Sequence, residues 1–344
     1  MMPRRAARTV AVSVVLLAAV GCGAGHVPRS SAGPASSAPG GLPLHRVADV
    51  AMPGPAVRFD YQDVDVDHRR LYVAHLGAGR VVAVDVDRLT VAGTVGGTAN
   101  VHGVRVAPDL DRVFATATGT DEVVAIQASS LTVIGRARTG RFPDGVAYDP
   151  ADRAVFVSDK DDGTETVVDA TTLAVRRTLR LAGEVGNVVW DPAEQRMLVA
   201  ARPPDQLLLV DPDTGQVAGR VDLPGCRGAH GVAVDPLART AFVACERNGR
   251  MAVVDVASLR QRDLQAVGDD PDVLAFDPGL RRLYVAAESG VVAVFDDTGP
   301  TVRKLGQAKV ADAAHTVAVD PGTHRVFFPL ENVHGHPVLR VMAP

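Results

Sequence analysis

Aromatic residues are scarce in this chain of 344 residues: they make up 4% of it, and Trp190 is the single tryptophan. Single-stranded nucleic acid needs aromatic stacking platforms, and any nucleic acid needs a basic footprint. Neither is present, because 36 lysines and arginines are outnumbered by 40 aspartates and glutamates, for a formal charge of −4. Nucleic acid is therefore excluded as a partner. Cysteine is limited to three residues, and the absence of CxxCH removes covalent haem. No GxSxG elbow, phosphate loop, dinucleotide fingerprint or HExxH helix occurs, so hydrolase and nucleotide chemistry of those kinds lacks a sequence basis. Long hydrophobic runs are missing too. The longest at the N-terminus, Val10 to Val20, is too short to cross a bilayer as a stable helix.

That run follows Arg4, Arg5 and Arg8 and ends at Ala19-Val20-Gly21-Cys22, the layout of a bacterial secretory signal closing on a lipobox. Residues 1–21 are expected to be removed and Cys22 to carry lipid, with simple secretion as the alternative. Without the three arginines the charge of −4 becomes −7, a mildly acidic mature surface. From Gly23 to Pro43, 17 of 21 residues are Gly, Ala, Ser or Pro. Such a composition cannot bury enough apolar surface to offset chain entropy, so 22–43 is expected to act as a tether between membrane and domain. The chain is thus expected on the extracytoplasmic face of a cell membrane, held by its lipid anchor only.

What the sequence does have is a repeat. AHGVAVDP, Ala229 to Pro236, recurs through the rest of the chain. Aligned on Asp235, the copies fall at Asp65, Ala107, Asp149, Asp191, Asp235, Asp277 and Asp320, spaced by 42, 42, 42, 44, 42 and 43 residues. The fifth copy shows the whole unit: VAVD, TAFVA from Thr240, MAVVD from Met251 and a weaker LQAV from Leu264. Short Val-rich runs bounded by Gly, Asp and Pro read as strands, and no helical period interrupts them. Seven units of about 43 residues with four strands each predict an all-β, seven-bladed β-propeller over 44–344, a monomer with no room for a second domain. The seventh unit lacks a fourth strand, whereas His45 to Met52 reads as a strand without a blade. Pairing the two closes the ring and covers an open edge. Trp190, in the first strand of blade four, reads as packing between blades.

One repeat position carries candidate chemistry. Five residues before each aligned residue stand Asp60, His102, Asp144, Gly186, His230, Asp272 and His315, so six of seven are His or Asp. A common offset in a propeller maps to one ring around the channel. There His102, His230 and His315 could converge as ligands of one divalent ion, Zn or Ca, with Asp60, Asp144 and Asp272 supporting the imidazoles or binding the ion directly. The competing reading is turn chemistry, a polar residue before glycine at strand entry, as in His102-Gly103, Asp144-Gly145 and His230-Gly231. Asp149, Asp191, Asp235, Asp277 and Asp320 read as turn formers at the opposite end of the strand. Residues after the second strands, namely His75, Asp159, Lys160, Arg202, Glu246, Glu288 and Glu331 with His334-Gly335-His336, are expected to form a polar rim suited to a charged ligand or ion. Cys226 and Cys245 both fall at that face in blade five. A disulfide is one reading and two free thiols or metal ligands the other.

With the unit defined, the chain resembles the YVTN-type propeller repeats, on FPDGVAYDP from Phe142, AHGVAVDP from Ala229, LYVA from Leu71 and Leu283, and VVAVD, TVVD and AVVD ending at Asp85, Asp169 and Asp255. It departs at the asparagine of the YVTN tetrad, where His75, Asp159, Cys245 or Ala287 stands. The resemblance implies an exported or surface seven-bladed propeller, often without an assigned activity. Two functions compete on this basis: a binding module that presents the polar channel face to a small ligand, metal ion or protein partner, and a metal-dependent lyase or lactonase working in the channel. The ring is similar to the three-histidine channel site of the peptidyl-hydroxyglycine lyases, in residue type and position only.

Overall fold

A computed structural model describes residues 41–344; the signal segment, Cys22 and nearly all of the tether lie outside the described residues. The strands form seven four-stranded antiparallel sheets. Their innermost strands are Gln62–Asp65, Val101–Ala107, Pro143–Asp149, Glu184–Asp191, Ala229–Asp235, Pro271–Asp277 and Ala318–Asp320, and each neighbours the next until the last meets the first. The chain is a seven-bladed β-propeller. Four short 3-10 turns, such as Glu246–Asn248, are the helical elements among the described residues; each follows an innermost or second strand directly.

Within a blade, burial falls from the inside outward. Thr240–Cys245 of blade five is buried along its whole length, whereas the outermost strand Arg260–Ala266 is mostly exposed and polar. Seven clusters of apolar side chains result, one between each pair of adjacent blades, such as Phe242, Val253, Leu274 and Val285 between blades five and six. A single blade has no core of its own, so the ring folds by stacking. The seventh blade is completed by His45–Ala51, which pairs antiparallel with His336–Ala343 from His45 opposite Ala343 to Ala51 opposite Val338.

The aligned aspartates form the turns expected of them. Asp149, Asp191, Asp235 and Asp277 each accept a hydrogen bond at 2.9 Å from the backbone N–H two residues on, an Asx turn. Several also reach the following blade: Asp235 pairs with Arg281 at 2.9 Å, Asp277 with His324 at 2.8 Å, and Asp320 with Arg69 at 2.7 Å, across the junction of the last and first blades. These contacts tie blade five to six, six to seven and seven to one at the turn end of the strands, and the ring lies at the other end.

Candidate functional site

The ring position acquires its geometry from a defect in the innermost strands. In blades two to six the pairing with the second strand slips just after the chain enters, between Val101 and Val104, Pro143 and Val146, Val185 and Val188, Ala229 and Val232, and Pro271 and Leu274. A bulge leaves two residues unpaired and re-aims their side chains. The unpaired residues are the ring residue and its successor: His102-Gly103, Asp144-Gly145, Gly186-Asn187, His230-Gly231 and Asp272-Val273. The glycines are there because the neighbouring blade's backbone passes against them. A Cβ on Gly231 would lie 1.9 Å from the Asp272 carbonyl oxygen, and one on Gly103 would lie 2.4 Å from that of Asp144.

Asp60, Asp144, His230, Asp272 and His315 are all at most 8% exposed, and His102 is partly buried. Five of the six line a cavity of about 110 Å³ at the strand-entry end of the channel, together with Arg58, Tyr61, Phe142, Lys160, Glu246, Asp270 and Glu288. His315 sits behind its wall, with Nδ1 3.0 Å from the Ala313 carbonyl oxygen and Nε2 3.1 Å from that of Phe59. Both nitrogens face carbonyl oxygens, so a neutral imidazole donates through one of them and points the other at a carbonyl rather than into the cavity. The expected trio of histidines does not gather into one coordination shell. Among the described residues the potential ligand atoms that lie within 4.8 Å of one another belong to Asp60, Asp272 and His315. The reason is the ring itself: its radius holds blades two, five and seven apart, and each histidine finds a partner nearer its own blade.

These partners differ. His102 Nδ1 lies 2.8 Å from both the Asn100 carbonyl oxygen and Thr118 Oγ1, and Thr118 donates its own proton to the Pro143 carbonyl. Nδ1 therefore carries the hydrogen, and Nε2 turns a lone pair into the cavity, 3.9 Å from Asp60 Oδ2. Burial lowers the pKa of His102 and outweighs the field of Asp144. His230 stands between two carboxylates, with Nε2 3.4 Å from Asp272 and 4.0 Å from Asp144. Burial opposes its charge, but the hydrogen bond of Asp272 and the fields of Asp144 and Asp272 win and raise its pKa. Asp272 is correspondingly held below the usual carboxylate range, because its bond to and the charge of His230 override its own burial. Asp60 is the opposite case. Burial, and then repulsion from Asp272 and Asp144, push its pKa well above the ordinary value, and its Oδ1 is buried with no hydrogen-bond partner.

The rim divides by strand parity. Lys160, Glu246 and Glu288 reach the cavity, with Lys160 Nζ 3.6 Å from Asp144 and Glu288 2.7 Å from Arg58. Arg202, nearly buried, bridges Glu184 and Glu246. His75 and Asp159 stand one residue earlier in the repeat and point the other way, between blades, as period-two alternation requires. His75 is fully buried and stacked on Phe59 at 4.1 Å, and Asp159 accepts from Thr164 and Thr166 at 2.8 and 2.7 Å. Neither belongs to the rim. Cys226 and Cys245 are joined by a disulfide. Arg58, Phe142 and Asp270 line the site without having been singled out from the sequence. All three stand two residues before the ring position, so the same offset comparison, taken one step further back, finds them.

The propeller is similar to a chain of the hydrazine synthase of Kuenenia stuttgartiensis, with a TM-score of 0.70 at 16% identity over 84% of this chain and 96% of that one. At that identity the likeness is one of fold. No protein-family model matches the chain, and no curated protein matches it.

Proposed function

We propose that the chain is an exported, lipid-anchored binding module that holds a divalent cation at the strand-entry end of its channel. The observation behind this is charge balance in a small space. Six carboxyl groups, Asp60, Asp144, Glu246, Asp270, Asp272 and Glu288, surround about 110 Å³ against Arg58, Lys160 and the His230 imidazole, with Arg202 paired to Glu246 from outside the lining. Acidic groups alone carry no such conclusion, but Asp60 lines this space and its buried Oδ1 lacks any protein partner. Asp60 and Asp272, with a His315 nitrogen within 4.8 Å that must turn from its carbonyl partner to coordinate, suit a divalent ion that takes nitrogen as well as oxygen, such as Zn²⁺ or Mn²⁺, better than Ca²⁺, which prefers six or more oxygens. His102 Nε2 is a further nitrogen donor on the same wall.

The volume of the acidic cavity favours the binding module over the lyase or lactonase. Small-molecule pockets run from roughly 300 to 1,000 Å³, whereas 110 Å³ is the share of about four waters. An ion with its waters matches this volume better than a sugar lactone or peptide end does. Export and the anchor rest on Arg4, Arg5, Arg8 and the Gly21-Cys22 site, with the 22–43 tether as the stand-off.

The test is a titration of metal-stripped protein with Zn²⁺, Mn²⁺ and Ca²⁺ by calorimetry. Tight binding of one ion per chain is expected, weakened at least about 100-fold in Asp60→Asn/Asp272→Asn and roughly tenfold in His102→Gln, given what the loss of ligands costs. Unchanged affinity in the double variant would overturn the assignment of this cavity.

A further inference from the structure

The channel does not end at the acidic cavity. Tyr61, which lines that cavity, also lines a wider lumen of about 370 Å³, whose far end is lined by Pro236 and Pro278 of the strand turns. That volume lies within the range of small-molecule sites. One repeat position supplies an aliphatic band around it, Val104, Val146, Val188, Val232, Leu274 and Val317. Trp190 and Phe276 follow two residues further along their strands and line it too.

The position between band and aromatics breaks the pattern. Blades three to seven carry Ala147, Val189, Ala233, Ala275 and Ala318 there, whereas blades one and two carry Asp63 and Arg105, the charged residues among those that line the lumen. Asp63 is occupied by the backbone: Oδ1 accepts from Val64 N–H at 3.0 Å, and Oδ2 from Val106 N–H of the next blade at 2.9 Å. Arg105 is not occupied. Its Nε lies 3.6 Å from Asp63 Oδ2, too far for a hydrogen bond, and among the described residues its guanidinium finds no other carboxylate. The side chain is 35% exposed and lines the lumen, so a molecule there can reach it. A guanidinium held beside an aliphatic wall is short of water and offers a planar fork of donors, to which a carboxylate is the matching acceptor.

We propose that this lumen is a second binding site, for a small carboxylate with an apolar body. The carboxylate accepts from Arg105, and the body lies against the aliphatic band and the Trp190 and Phe276 rings. The site stands on its own residues. The acids behind Tyr61 oppose an anion while their cavity is empty and cease to do so when it holds a cation, so the lumen is tested in both states.

Trp190 is the single tryptophan and lines the lumen, so its fluorescence in the full chain reports on occupancy. Four probes separate charge from shape: 3-phenylpropionate, 3-phenylpropanamide, phenethylammonium and acetate, each titrated with and without Zn²⁺. The expected result is a saturable change with 3-phenylpropionate in at least the Zn²⁺-loaded protein, and an affinity at least roughly tenfold lower for the amide. Phenethylammonium and acetate should not saturate. Arg105→Ala introduces the residue that blades three, five, six and seven carry at this position. It should weaken 3-phenylpropionate at least roughly tenfold and leave the amide unaffected, with thermal melting to establish that the variant is folded. Should it fail to fold, Arg105→Gln decides. No response to 3-phenylpropionate in either state, amide, ammonium or acetate binding as tightly, or an affinity unchanged in the folded variant would each overturn the proposal. The last outcome would place the carboxylate elsewhere, on the cation included. Calorimetric Zn²⁺ titration of Arg105→Ala keeps this result separate from the fate of the acidic cavity.

Discussion

At the residue scale the site depends as much on glycine as on the acids and imidazoles. Gly231 follows His230 in the bulge and touches the Asp272 carbonyl, so blades five and six meet at the two residues they give to the cavity. A methyl group there meets backbone, which cannot rotate away, and overpacking of this kind costs about 1–3 kcal/mol or more. Gly231→Ala should lower stability by at least about 2 kcal/mol in urea unfolding and reduce cation affinity by parting His230 from Asp272. Gly96, on an outermost strand, has no atom within 4 Å of a would-be Cβ, and Gly96→Ala should be neutral or slightly stabilising. Equal cost at both positions would mean that close approach is not why Gly231 is glycine. The same scale shows what the sequence made legible. A shared offset sufficed to place Asp60, His102, Asp144, His230 and Asp272 around one cavity, because a repeat converts sequence position into angle. The offset does not encode how far each side chain reaches. His315 is drawn to the Phe59 and Ala313 carbonyls, and no spacing in the sequence reveals that.

At the scale of the element, blade three carries a tension that the sequence conceals. Its second and third strands, Ala154–Asp159 and Thr164–Asp169, bury Ser158 and Glu165 on the face toward blade four and Asp159 on the face toward blade two. Asp159 reads as a rim residue in the sequence, since acids are usually exposed. Strand parity overrides that expectation. Burial raises the pKa of Asp159 to about 6 against the pull of the Thr166 and Thr164 hydroxyls, and burial pushes Glu165 well above its ordinary value. A carboxyl whose folded pKa exceeds its unfolded one favours the fold fully below the unfolded value and loses that contribution as pH rises through the folded value. For Asp159 the window runs from about 3.8 to about 6. Asp159→Asn, neutral at every pH, should therefore be more stable than the parent at pH 7.5 by on the order of 2–3 kcal/mol, from about two pKa units at 1.36 kcal/mol each. The two should converge near pH 4. Urea unfolding at both values measures this, and a variant less stable at pH 7.5 would show that the threonine hydrogen bonds outweigh the buried charge.

For the whole molecule, closure is the decisive event, because seven inter-blade layers of apolar side chains exist only when both ends of the chain meet. Blade number and strand count were legible from the period, and so was the strand missing from the last blade. The sequence left unspecified what would seal the junction. Two devices do so. Arg69 of blade one grips Asp320 of blade seven at 3.0 and 2.7 Å, and Arg340 grips Asp49 of the N-terminal strand through two bonds of 2.9 Å. Between these polar clasps, Val50 and Met52 from the N-terminal strand pack with Phe59, Phe327 and Leu339. Placing a carboxylate at Val50 puts an unpaired charge into that layer and undocks the strand, which leaves His336–Ala343 as an uncovered edge. Val50→Asp should lower Tm by about 5–10 °C, as expected for roughly 3 kcal/mol in a domain of this size, and should produce concentration-dependent oligomers in size-exclusion chromatography through edge pairing. Asp49→Ala removes only an exposed ion pair and should shift Tm by no more than about 2 °C. A monodisperse Val50→Asp protein with the parent's Tm would mean that the three remaining strands of blade seven close the ring by themselves, with the N-terminal strand a passenger on its rim.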